Sequence, residues 1–186
     1  MSHHVCPWWL GYFLASPIRR WMMKPEPIIA PYVKPGMTVL EPGPGMGLFT
    51  LPLAGMVGDG GRVVAVDLQP KMVERLKRRA ERARVASRVE ARVSSADSLG
   101  VHDLPGRVDF TLAFAMVHEL PEKHPFFAEV ASASKHGALL LLAEPAGHVK
   151  AEEFETEINR AREAGFEVVE RPTIKRSQAV LLRRRG

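Results

Sequence analysis

The residues able to do chemistry gather at the ends of short apolar runs. Val39 and Leu40 lead into Glu41, after which Gly43, Gly45 and Gly47 alternate with Pro44 and Met46. Glycines at that spacing let a ligand approach the backbone, and a helix opening beyond them offers unpaired N–H groups to a carboxylate or phosphate. A dinucleotide loop reads G-x-G-x-x-G, but here the third glycine comes one position early. Leu48, Phe49 and Thr50 follow where a nucleotide-triphosphate loop needs a lysine and a hydroxyl residue. NAD, FAD and ATP are therefore disfavoured. Two further acids follow later runs, Asp67 after 63–66 and Asp97 beyond 89–93. The first is placed to accept both hydrogen bonds of a ribose diol and the second to accept from an adenine amino group, with capping of the next helix or turn as the structural alternative. Beyond the run 108–114 comes His118, a candidate general base, donor or orienting group. Glu144 and His148 lie just past the run 138–143.

These residues need a scaffold that brings strand ends together. Strands are expected at 38–41, 62–67, 89–93, 108–114, 138–143, 166–170 and 178–182, each β-branched or continuously apolar as sheets buried on both faces require. Helices are expected at 46–57, 70–86, 124–134 and 150–164. That alternation predicts an α/β fold with a mostly parallel seven-stranded sheet covered by helices. The last two strands are separated by seven residues, too few for a parallel crossover, so they should pair antiparallel. In such a sheet the carboxyl ends of the strands form the ligand crevice, where Glu41, Asp67, Asp97, Glu144 and His148 are expected to converge. Residues 58–61 read as a tight connection, Gly137 and Gly165 as helix ends, and Pro52 as a kink inside the first core helix.

A chain of 186 residues has the length of one domain, and 46% hydrophobic with 25% charged residues is ordinary globular composition. No run of 18 apolar residues is present, which argues against a spanning helix. One cysteine, Cys6, excludes an internal disulfide and a cysteine-based zinc site and suits a reducing cytoplasm; no metal site is expected. The net charge of +5 gathers at Lys71, Arg75, Lys77, Arg78, Arg79, Arg82, Arg84 and Arg88, and again at Arg183, Arg184 and Arg185. In the first group Met72, Leu76, Ala80 and Ala83 recur at helical spacing, so the basic residues read as a solvated face. Residues 1–35 differ in texture, rich in proline and in Trp8, Trp9, Tyr12, Phe13 and Trp21. They are expected to form a short helical lid, with contact to a membrane surface as the alternative, and Trp9, Tyr12 and Phe13 as an aromatic substrate wall. Residues 36–186 form the main domain.

From the glycine loop onward the chain resembles the class I S-adenosylmethionine-dependent methyltransferases, over roughly residues 36–182. Their acid-x-Gly-x-Gly-x-Gly pattern is matched by Glu41, Gly43, Gly45 and Gly47. The resemblance implies a three-layer Rossmann-like fold and S-adenosylmethionine as cofactor, with S-adenosylhomocysteine as product. It assigns Glu41, Gly43, Pro44, Gly45, Met46 and Gly47 to the methionine side of the cofactor and Asp67 to the ribose. Leu68, Met72, Ala96 and Asp97 fall to the adenine, and Phe114 joins the cofactor set. His118 is the candidate catalytic residue, with Glu144 and His148 toward the substrate. No Asn-Pro-Pro-aromatic sequence follows the fourth strand, unlike the adenine amino methyltransferases of nucleic acids, and one cysteine supports neither the 5-methylcytosine route nor arsenite chemistry. The chain is similar to the small-molecule branch that includes ubiquinone and menaquinone methyltransferases, though shorter. Methyl transfer to a small apolar or aromatic acceptor is the expectation. An RNA methyltransferase using the basic residues and a noncatalytic cofactor-binding partner protein are the alternatives.

Overall fold

The structure, a computed structural model, describes residues 24–186. Cys6, Trp9, Tyr12 and Phe13 lie outside the described residues. The chain divides into two compact units, the first ending at Ser95 and the second starting at Ala96. In the first, α1 (Pro25–Ile29) is followed by β1 (Thr38–Pro42), α2 (Thr50–Val57), β2 (Arg62–Asp67), α3 (Pro70–Arg82) and β3 (Val89–Val93). β2 lies between β1 and β3 and parallel to both, with Thr38 opposite Arg62 and Val63 opposite Val89. Val39, Leu40, Val63, Val64 and Ala65 are fully buried, which is why these strands read as unbroken apolar runs. Ile29 and Val33 are buried in the same unit, so the chain just before β1 is part of its core.

The second unit holds β4 (Val108–Phe114), a 3-10 turn (Val117–Glu119), α4 (Lys123–Ala133), β5 (Ser134–Pro145), α5 (Ala151–Glu163), β6 (Phe166–Glu170) and β7 (Ser177–Arg184). β4 and β5 are parallel, and β7 runs antiparallel to both β5 and β6. The strands follow the order β3-β2-β1-β4-β5-β7-β6 in a seven-stranded sheet, a mostly parallel Rossmann-like α/β arrangement. The short link from β6 to β7 turns through Arg176 at φ 61°, too tight for anything but an antiparallel return.

Four local expectations change. The first core helix starts at Thr50 rather than at residue 46, because Gly47 sits at φ 85°, outside the right-handed helical region. Pro52 therefore falls in the first turn, where its missing N–H has no intrahelical partner to lose, and it does not kink the helix. Gly137 does not end a helix: α4 stops at Ala133, and Gly137, at φ 78°, lies within β5 where the register slips between Val108–Ser134 and Phe110–Leu139. Ala83 lies beyond α3 and is exposed, and the buried face of that helix is Met72, Val73, Leu76 and Ala80. Gly165, at φ 98°, does follow a helix end, and its N–H bonds to the Arg162 carbonyl.

Several basic residues have structural partners. Arg184 donates to the carbonyls of Ala131, Gly165 and Arg185, and Arg185 donates to that of Arg162, so the chain end serves the last turns of α4 and α5. Arg88 pairs with Asp59 and also reaches the Ala54 carbonyl, and Arg79 donates to the Met46 carbonyl. Among the described residues no helix is long and apolar enough to cross a membrane.

Candidate functional site

The loop after β1 is shaped by three glycines with left-handed backbone, Gly43 at 67°, Gly45 at 54° and Gly47 at 85°. Gly43 N–H bonds to the Val66 carbonyl at 2.9 Å, which ties the loop to the end of β2. Asp67 continues that link: its Oδ2 accepts from Gly45 N–H at 3.2 Å and its Oδ1 from Gln69 N–H at 2.9 Å. The glycines serve different ends. A Cβ on Gly47 would lie 2.5 Å from Leu76 Cδ1 on α3, so glycine there permits close helix packing. A Cβ on Gly45 would meet nothing within 4 Å, so that stretch of backbone faces open space. Met46 is buried and Arg79 holds its carbonyl.

Glu41, the last residue of β1 but one, is only 3% exposed; its Oε2 makes no well-formed hydrogen bond, and its polar neighbour is the buried Thr50 hydroxyl. Burial pushes the Glu41 carboxyl up to about 8 against the pull of the Thr50 hydroxyl, and the charge of Asp67 adds to the rise. Burial also raises Asp67, against the pull of its two backbone N–H donors. Because the folded value of Glu41 exceeds its ordinary 4.5, the folded state holds more protons between those values, so its contribution to stability falls as pH rises through that window. The full cost above pH 8 is on the order of 5 kcal/mol. Glu41→Gln is therefore expected to unfold at nearly the same temperature as the parent at pH 5 and clearly higher at pH 8.5. Parallel melting curves across that range would contradict this account.

Of the remaining residues expected at the cofactor, Leu68 is exposed at the end of β2, Met72 is buried on α3 and Phe114 is half-buried at the end of β4. Ala96 and Asp97 are exposed at the start of the second unit. The chain just beyond them is anchored by Glu129 on α4, which accepts from the Ser98 hydroxyl at 3.1 Å and from Leu99 N–H.

The second unit brings together His118, Glu144 and His148. Glu144 is fully buried near the end of β5; its Oε2 lies 2.5 Å from His118 Nδ1 and its Oε1 accepts from Val117 N–H at 2.8 Å and His118 N–H at 3.3 Å. The His148 ring meets His118 edge-on with centroids 5.1 Å apart. The Glu144 hydrogen bond lifts the His118 pKa above the ordinary histidine value, against burial. Two members of this cluster were not expected from sequence. Glu157 on α5 is 1% exposed, with its carboxyl pushed up to about 7 by burial and by the charge of Glu144, and Lys123 stands 4.0 Å from its Oε1. Glu157 shares its helix face with Phe154, Ile158 and Ala161, all buried, and an acid on an apolar stripe is the signal that could have found it. Among the described residues no group of three His, Cys, Asp or Glu is placed to hold a metal ion.

A family model described as a methyltransferase domain matches residues 39–137, just over half of the chain. No curated protein matches it. Among solved structures, an S-adenosylmethionine-dependent methyltransferase from Aquifex aeolicus is similar at 26% identity and a TM-score of 0.84, covering 96% of this chain and 99% of that one. An S-adenosylmethionine-dependent O-methyltransferase from Thermotoga maritima shares the fold at 17% identity and a TM-score of 0.68, over 88% of this chain and 65% of that one. A cyclase, SpnF, shares it too, at 15% identity and a TM-score of 0.72 over 86% and 80%.

Proposed function

The chain belongs to the methyltransferase-domain family, and from that premise we propose that it is an enzyme that binds S-adenosylmethionine and methylates a small apolar or aromatic acceptor, releasing S-adenosylhomocysteine. The observation that carries the reading is Glu41, a buried carboxyl whose Oε2 makes no well-formed hydrogen bond, at the root of a glycine loop that faces open space at Gly45. That donor set suits a cationic ligand. A cationic group would draw Glu41 into its ionised form and pair with it, whereas the pyrophosphate of a dinucleotide would oppose that ionisation and add to the charge of Asp67. Bound S-adenosylmethionine supplies an electrophilic methyl group, open to in-line displacement.

The residues then take distinct tasks. Glu41 and the backbone of residues 43–47, with Pro44 and Met46, hold the methionine side. Asp67 accepts from the ribose hydroxyls, since its two backbone bonds leave half of its acceptor capacity free. Leu68, Met72, Ala96, Asp97 and Phe114 are assigned to the adenine and its surroundings. His118, Glu144 and His148 are assigned to the acceptor, as are Trp9, Tyr12 and Phe13, which lie outside the described residues. The basic chain end does not favour an RNA acceptor, because Arg184 and Arg185 are engaged with helix-end carbonyls. The single cysteine suits the cytoplasm.

Thermal unfolding of the intact chain with S-adenosylmethionine, S-adenosylhomocysteine and NAD in parallel tests the reading. A ligand at a hundredfold excess over its Kd adds about 2.7 kcal/mol, which raises Tm by roughly 5–10 °C for a domain of this size. A shift with both sulfur compounds is expected. A shift with NAD alone, or none, would overturn it.

A further inference from the structure

The pairing of His118 with Glu144 points to the chemical class of the acceptor. Resting on the methyl-transfer reading above, we propose that the acceptor is a phenolic hydroxyl and that His118, positioned by Glu144, is the base that removes its proton.

All three hydrogen bonds of the Glu144 carboxylate go to the turn that carries His118, to Val117 N–H, His118 N–H and the His118 ring. An ionised carboxylate only accepts, so the ring proton sits on Nδ1 and the lone pair is left on Nε2. Nε2 has no hydrogen bond among the described residues, and the His118 side chain is 17% exposed, reachable but largely out of water. The turn is also held under constraint. Ala115 adopts φ 55°, unfavourable for a residue with a Cβ, while its N–H bonds to the Ala143 carbonyl at 2.7 Å. Main-chain amides alone could be satisfied by a neutral side chain. A fully buried carboxylate is a costly way to do so unless its charge has a use, and the use it offers is to stabilise an imidazolium.

The groups facing His118 favour the same end. Glu144 comes from β5, Glu119 from its own turn and Glu157 from α5, and all three carboxylates raise its pKa while burial opposes them. His148 packs edge-on from the chain after β5, and Lys123 at the start of α4 partly balances Glu157. A base stronger than ordinary histidine is best matched to a proton of pKa about 10, that of a phenol. A thiol, at about 8.5, already supplies a few per cent of a very nucleophilic thiolate near neutrality and needs no such base. A neutral amine attacks with its lone pair before losing a proton. In the hydroxyl reaction the oxygen forms the bond to carbon, the pair of the broken carbon–sulfur bond stays with sulfur, and the O–H proton passes to Nε2. The imidazolium rests against Glu144 until water takes the proton.

Two measurements on the intact chain test this. Nitrogen NMR of the His118 ring, without ligand and above its pKa, should show the proton on Nδ1. In Glu144→Gln the amide donates to Nδ1 instead and the proton should move to Nε2. Separately, matched aromatic acceptors differing only in –OH, –NH2 or –SH are assayed with S-adenosylmethionine, whose binding is measured by calorimetry. The hydroxyl compound should be methylated, with kcat rising with pH to a plateau as His118 loses its charge. His118→Asn and Glu144→Gln should each lower that kcat by about 100-fold or more, change the thiol rate by less than about threefold and leave cofactor affinity intact. Equal loss of hydroxyl and thiol turnover in His118→Asn, or an Nε2 proton in the parent, would overturn the base assignment. Normal cofactor binding without hydroxyl methylation would overturn it as well. Failure to bind S-adenosylmethionine would instead remove the methyltransferase reading on which it rests.

Discussion

Asp67→Ala is expected to weaken S-adenosylmethionine binding by about 100- to 10,000-fold, because two hydrogen bonds from ribose hydroxyls to a carboxylate contribute about 1.5–3 kcal/mol each. At a cofactor concentration that raises the parent Tm by roughly 5–10 °C, the variant should shift by no more than about 1–2 °C. The loss of ligand response should far exceed any loss of intrinsic stability. Asp67 does accept from Gly45 and Gln69 in the folded chain, but burial raises its pKa, so removing it also relieves a desolvation cost. The two effects oppose each other, and the ligand-free variant should melt within a few degrees of the parent. An undiminished cofactor shift in Asp67→Ala would take the ribose role away from this residue.

The parts of the fold that sequence makes legible are those where one face pattern has one outcome. β2 and β4 stand where their apolar runs place them, because strands buried on both sides admit few polar residues, while the edge strands β3 and β6 keep their expected bounds with polar residues among their β-branched ones. β5 extends four residues earlier than its apolar run, through Lys135, His136 and Gly137, which are exposed and carry no apolar signal. The early start expected for the first core helix came from apolar spacing alone. Backbone handedness at Gly47 overrode it, and a glycine that must pass within reach of Leu76 carries that information only once the helix partner is known.

The candidate site divides in the same way. Glu41 and Asp67 are legible because they stand at the carboxyl ends of strands, and the bonds of Asp67 join residues that the glycine loop and the start of the next helix bring close. His118 and Glu144 were each recognisable as candidates at strand ends, but their hydrogen bond spans 26 residues of sequence and depends on the register of β4 against β5. Glu157 was hidden by the ordinary presumption that an acid on a helix faces water. Its position among Phe154, Ile158 and Ala161 contradicts that presumption, and the cost of burying it raises its pKa toward neutrality.

Gly61→Ala is expected to cost about 2–3 kcal/mol of stability, lowering Tm by roughly 5–10 °C, although Gly61 has no left-handed backbone to protect. The reason is space. An added Cβ would lie 2.6 Å from Val57 Cβ, 2.7 Å from the Met37 carbonyl oxygen and 2.8 Å from that of Val57. Two of those atoms are backbone and already committed: Met37 O accepts from Arg62 N–H at 3.0 Å and Val57 O from Gly36 N–H at 2.8 Å. The methyl group cannot be relieved by turning a side chain; the end of α2 or the start of the β1–β2 ladder has to move. Gly60→Ala supplies the contrast, since its Cβ would come no closer than 3.9 Å to Gly36 Cα, and it should melt within about 2 °C of the parent. Both positions lie in the connection between α2 and β2, so lost chain flexibility affects them alike, and a difference between the two variants isolates the steric term. Similar melting temperatures for the pair would mean that this connection yields more readily than its hydrogen bonds imply.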